Sequence, residues 1–127
     1  MYESQEEVRL RLLALALPTL RVSASGQFAS ITVTLDMYRL SGASGEHTDR
    51  FVNYPRSIRG VEVAIFFRQV AENSVKVGFR SSGTVDVGAL ARKLGGGGHH
   101  NAAGALLEGE LDVIQEKVFA MVDRLQH

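Results

Sequence analysis

Hydrophobic and polar positions divide the chain into segments of different period. Gln27 to Leu35 alternates. Ala29, Ile31, Val33 and Leu35 fall on one side and Ser30, Thr32 and Thr34 on the other, which predicts a β-strand. Val61 to Ala71 and Ser74 to Ser82 predict two more strands. In the first, Val61, Val63, Ile65 and Phe67 share a face, while Ala64 and Phe66 make the other face apolar too. That is the pattern of a central strand covered on both sides. In the second, Val75, Val77 and Phe79 oppose Lys76, Arg80 and Ser82, and Glu72-Asn73 between the two strands predicts a tight antiparallel hairpin.

Other segments repeat every three to four residues. Ser4 to Leu17 opens on a capping-box spacing, Ser4 to Glu7, and stops at Pro18. Its Val8, Leu10 and Leu12 also satisfy a period of two, and its apolar end requires a large packing partner. Asp86 to Leu94 puts Val87, Leu90, Ala91 and Leu94 on one helical stripe behind a cap at Asp86 or Thr84. Leu111, Ile114, Val118, Val122 and Leu125 form the stripe of a closing helix. Shorter pieces are a helix over Asp36–Leu40, a Gly/Ser-rich turn over Ser41–Glu46, a helical or irregular piece over Asp49–Arg56 and a strand over Ala102–Leu107. Strands and helices interleave without an internal repeat. The expected fold class is α/β, a mixed sheet of about four or five strands with helices packed on it.

A chain of 127 residues, 45% hydrophobic and 22% charged, suits one folded domain and excludes a disordered tail. Cysteine is absent, so disulfides, thiolate metal sites and a cysteine nucleophile are excluded. The longest apolar run, Leu12 to Leu17, is too short for a bilayer span or a signal-peptide core, and the expectation is a soluble, cytoplasmic protein without membrane contact. Net charge is zero, which argues against a general duplex-DNA binder. The total hides a pattern: residues 1–47 carry net −1, residues 48–93 net +4 and residues 94–127 net −3. Of the 14 basic residues 11 are Arg, suited to forked phosphate contacts. A GC-rich genome also favours Arg, so the location of the charge carries more weight than its type.

Candidate chemistry concentrates in GGGGHHNAAGA, Gly95 to Ala105. Four glycines in a row are entropically costly, but they permit φ > 0, close approach of a ligand and convergence of N–H groups on an anion. A neighbouring His can donate to phosphate oxygen. The plain alternative is a flexible connector, which His99, His100, Asn101 and the small apolar strand after them disfavour. No Lys follows for a Walker A loop, and GxGxxG does not fit. His99 and His100 are adjacent, so their rings point apart. His47 and His127 are isolated, and no HExxH or DxD motif occurs, so no intrinsic catalytic metal site is expected. No GxSxG elbow occurs either. A second candidate is FRSSG, Phe79 to Gly83, at a strand end where α/β proteins place ligands; a solvated strand face is its bland alternative. Arg80 shares a face with Lys76. Intervening strands must bring this segment to the glycine run if the two are to form one surface.

In order along the chain stand Phe51-Val52-Asn53, Gly60 to Phe66, Arg80-Ser81, Val85-Asp86-Val87 through Ala91, and Gly95 to Gly104. This series resembles the type 1 DHH-associated domain at the C-terminus of DHH-family phosphoesterases. It is most similar to the branch of bacterial oligoribonucleases that also dephosphorylate phosphoadenosine phosphate. The resemblance covers essentially the whole chain, and the GGGGHxxAAG segment is its most specific part. Family members carry an N-terminal DHH domain whose Asp and His residues hold two metal ions, usually manganese. This sequence has no DHH tripeptide, so the resemblance implies a fragment beginning near an interdomain linker helix: residues 1–20 the linker, residues 21–127 the substrate-binding domain.

The resemblance implies that the absent DHH domain is this chain's partner and holds the manganese, while this chain holds short RNA or a nucleotide and supplies no catalytic or metal-ligating residue itself. Arg80 and Ser81 would contact a phosphate or base, Gly96, Gly97 and Gly98 would line a phosphate nest, and His99 would contact the phosphate near the scissile bond. His100 falls on a variable position. Asn53 and Arg56 are weaker matches, Arg56 suiting a loop anchor. A homodimer of the intact protein stays open. Two alternatives remain: the matching domain of a cyclic-dinucleotide phosphodiesterase, and a stand-alone nucleic-acid-binding module similar to that of alanyl-tRNA synthetases. Net-zero charge disfavours the last.

Overall fold

The structure, a computed structural model, describes residues 4–126; His127 and residues 1–3 lie outside the described residues. The first helix, α1 (Gln5–Ala16), is capped by the Ser4 hydroxyl, which accepts the Glu7 N–H at 3.0 Å. Burial settles its ambiguous period: Val8 and Leu12 are inside, while Leu10 is exposed. Strand β1 (Arg21–Val22) leads into β2 (Phe28–Val33). Thr34 then accepts the Met37 N–H and starts α2 (Leu35–Ser41), so Leu35 belongs to a helix and not to the strand the alternation predicts. Ser41 closes that helix, and the chain passes Gly42, in the left-handed region, into a 3₁₀ turn (Gly45–Thr48) where a plain Gly/Ser turn was expected. Of the piece expected over Asp49–Arg56, only α3 (Asn53–Arg56) is helical.

The predicted hairpin is β3 (Val63–Ala71) and β4 (Ser74–Ser81), antiparallel as expected. It is followed by α4 (Val87–Lys93), which Asp86 caps by accepting the Ala89 N–H. A two-residue strand β5 (Gly97–Gly98), strand β6 (Ala102–Glu108) and helix α5 (Leu111–Asp123) complete the chain. Leu125 falls in a 3₁₀ turn after α5 and is exposed, so it leaves the predicted stripe.

The sheet has six strands in the order β1-β2-β3-β4-β6-β5. Only β2 and β3 pair in parallel, joined by the crossover through α2 and α3. The count exceeds the expected four or five because β1 and β5, two residues each, are too short to show a period. Two cores sandwich the sheet. Val63, Ile65 and Phe67 of β3 pack with Val87, Leu90, Ala91, Ile114 and Val118 on the α4/α5 face. Val8, Leu12 and Ala16 of α1 cover Ile31, Val33 and Phe51 on the other. Ser30 and Thr32, the polar face of β2, are buried too; Thr32 accepts the Gln115 amide at 3.0 Å and donates its N–H to Thr19 at 2.8 Å. No helix among the described residues is long and apolar enough to cross a membrane.

Candidate functional site

The α1 to α3 layer covers β2 and part of β3, but among the described residues no helix covers β4, β6 and β5 on the same face. Paired residues share a face, so register defines what that open surface presents. One row across the sheet reads Ile31, Phe66, Gly78, Gly104, Gly97. Past Phe66 it has no side chains at all. The rows beside it place Arg68 against Lys76 on one flank and Arg80 on the other. The result is a cleft of about 440 Å³ with a glycine floor, walled by Thr48, Asp49, Arg50 and Val52 from the α2–α3 connection, by Arg68, Lys76 and Arg80 from the strands, and by Gly96.

Four cations line this cleft against one carboxylate, Asp49. Among the described residues the Arg and Lys ion pairs are Arg9–Glu6, Arg11–Glu7, Arg21–Glu116 and Arg39–Asp36, so Arg50, Arg68, Lys76 and Arg80 form none. Their charge is left to act on whatever enters. Arg80 is half-buried and donates only to its neighbour's carbonyl, Phe79 O, at 3.3 Å. Arg68 stands beside Tyr38, whose hydroxyl burial pushes above the ordinary phenol range while the guanidinium pulls it down. A second cavity of about 430 Å³ lies at the β1 edge on the α5 face, where Arg21 stacks over Phe119 at 4.0 Å. It lacks such a cluster, because Arg21 is its one cation and is paired to Glu116.

The sequence-predicted residues divide. Arg80 and Gly96 meet on the cleft, because β6 lies between β4 and β5. Ser81 points to the opposite face, is buried, and accepts the Gly83 N–H at 3.1 Å. Gly97, Gly98 and His99 run on past the cleft wall and are exposed. The amides of Gly95, Gly96 and His99 donate to the Arg92, Ala91 and Ala102 carbonyls, so these three are spent within the chain. Gly96 and Gly98 are held by close packing. A Cβ on Gly96 would fall 2.1 Å from the Gly104 carbonyl, and one on Gly98, at φ +142°, 2.5 Å from Ala103 Cα, whereas one on Gly97 meets nothing within 4 Å.

His100 ties the turn to α4, with Nε2 2.7 Å from the Gly83 carbonyl and its own carbonyl accepting the Val87 N–H at 2.9 Å. Asn53 and Arg56 are exposed on α3, away from the cleft. Sequence reasoning missed Gly78, Arg50 and Arg68. Arg68 had a signal: it continues the face of Ala64 and Phe66, which is apolar up to that position. Among the described residues no three His, Asp or Glu side chains converge on one point as a metal site requires.

The fold is a mixed-sheet α/β domain whose open face carries a basic cleft over a glycine floor. The chain belongs to the DHHA1 domain family, which residues 31–126 match. It is 43% identical over 96 residues to the bifunctional oligoribonuclease and PAP phosphatase NrnA of Thermus thermophilus, covering 75% of this chain and 29% of that protein. To the NrnA of Bacillus subtilis it is 30% identical over 105 residues, covering 83% of this chain and 32% of that one. An exopolyphosphatase-related protein from Bacteroides fragilis superposes with a TM-score of 0.79 at 29% identity, over 95% of this chain and 34% of that one. The chain thus spans about a third of the length of these relatives.

Proposed function

We propose that this chain is the substrate-holding domain of a metal-dependent DHH phosphoesterase that hydrolyses short oligoribonucleotides or nucleotide bisphosphates. The cleft carries the reading: among the described residues Arg80 has no ion-pair partner, and it stands beside a floor on which a nucleotide can lie against bare backbone. Residues 1–20 act as the linker to the DHH domain, residues 21–127 bind the substrate, and the hydrolytic step belongs to manganese held by that other domain. His99, exposed on the turn after the glycine strand, reaches toward the scissile phosphate. Ser81 supports the Arg80 strand end by holding the Gly83 turn.

Two measurements test this. The 127-residue chain with manganese added should leave a dinucleotide intact; turnover comparable to an intact relative would refute the division of labour. In the intact parent protein, Arg80→Ala should raise the KM for a dinucleotide about tenfold or more, the worth of one charge-assisted contact, without lowering the melting temperature. An unchanged KM would return Arg80 to an ordinary solvated strand face.

A further inference from the structure

The cavity at the β1 edge lies on the face of the sheet away from the basic cleft. Arg21, Ser30 and Ile65 stand side by side across β1, β2 and β3 and share that face. Phe28, Ser30 and Ile65 form the floor of the cavity, and Phe119 and Val122 of α5 form its roof. Its volume of about 430 Å³ suits a small molecule, and its inner walls are aromatic and aliphatic.

Ser30 is the exception among those walls. It is 2% exposed, and among the described residues its hydroxyl meets no hydrogen-bond partner. Thr32, two residues on along the same face of β2, is also buried, but its hydroxyl accepts the Gln115 amide at 3.0 Å. Helix α5 thus satisfies one buried hydroxyl of the strand and leaves the other to the cavity. A buried hydroxyl is rarely left unpaired, because it has given up its bonds to water. A molecule that enters the cavity can supply the missing bond.

Charge at the mouth decides what kind of molecule that is. Arg21 is the one cation among the lining residues, and it is already engaged, with its guanidinium 4.0 Å over the Phe119 ring and Nη1 3.3 Å from the Glu116 carboxylate. Asp123 is the one carboxylate of the lining and forms no ion pair among the described residues. With Arg21 neutralised by Glu116, the remaining field is negative and repels an anion. A cation fares no better, because Arg21 holds the place over the Phe119 ring that a cation would take. Phe28 and Phe119 offer ring edges and faces to an aromatic body.

We propose that this cavity binds an uncharged aromatic molecule that carries a hydroxyl group, its ring held among Phe28, Phe119 and Val122 and its hydroxyl bonded to that of Ser30. The site is separate from the basic cleft and does not rest on the substrate-holding role.

The test is backbone amide NMR of the 127-residue chain at pH 7, titrated with 2-naphthol and with naphthalene-2-carboxylate, the same ring with an anionic group in place of the hydroxyl. With 2-naphthol the amides of Ser23, Ser30 and Phe119 should shift with a Kd below about 1 mM, while those of Gly78 and Arg80 stay in place. The carboxylate should bind at least about tenfold more weakly. Ser30→Ala should weaken 2-naphthol about three- to tenfold, the worth of one hydrogen bond, and should not lower the melting temperature, since no bond within the chain is removed. The proposal is overturned if 2-naphthol leaves the three cavity amides in place, if the two compounds bind equally, or if Ser30→Ala keeps full affinity. A Ser30→Ala chain that fails to fold would show the hydroxyl to be bonded within the protein and would overturn it as well.

Discussion

Adjacent glycines in the run have opposite tolerances. Gly96 packs so closely on β6 that an added methyl must displace backbone, and Gly96→Ala should destabilise by about 1–3 kcal/mol in thermal or urea unfolding. Gly97 opens to space, so Gly97→Ala should keep stability within about 0.5 kcal/mol while placing a methyl at the outer end of the glycine row. Loss of nucleotide binding in a fully folded Gly97→Ala chain would then report contact with ligand. Tyr38 adds a pH readout. Burial raises its hydroxyl above 10.0 against the pull of Arg68, so the folded chain holds this proton more tightly than the unfolded one. The stability it supplies is complete below about pH 10 and is lost as pH rises beyond it. In denaturant titrations Tyr38→Phe should flatten that alkaline decline; an unaltered decline would assign it elsewhere.

Elements with long, regular patterns were legible. The α4 stripe, the doubly covered β3 and the hairpin to β4 follow from spacing alone, because burial against a sheet imposes those periods. What the pattern could not carry were β1 and β5. Two residues have no period, and glycines have no side chains to alternate, so a strand made of Gly97 and Gly98 reads as a loop until β6 is beside it. For the same reason the glycine run read as an N–H nest, although the amides of Gly95 and Gly96 are spent within the chain. The Arg80-Ser81 pair was legible as a motif but not as a geometry: strand alternation sends the two side chains to opposite faces, one to the cleft and one inward. Helix α1 is firmly integrated, so Leu12→Ala should cost about 2–5 kcal/mol, while Leu10→Ala on its exposed side should cost under about 0.5 kcal/mol. Equal costs in chemical unfolding would mean that α1 does not pack as described.

At the scale of the whole molecule, the net +4 of residues 48–93 becomes a local field only because the crossover from β2 to β3 folds Arg50 over the same face that presents Arg68, Lys76 and Arg80. The sequence located the positive third of the chain; the topology converts it into one cleft. Ligand binding there should weaken as salt rises, since the attraction is screened within about 10 Å at 0.1 M. The central claim is that this cleft, and not the cavity at the β1 edge, holds nucleotide. Backbone amide NMR of the 127-residue chain titrated with a 5′-phosphorylated diadenylate tests it directly. The amides of Gly78, Arg80, Gly96 and Gly104 should shift while those of Ser23, Ser30 and Phe119 stay in place; shifts confined to the Phe119 cavity, or none at saturating ligand, would contradict it.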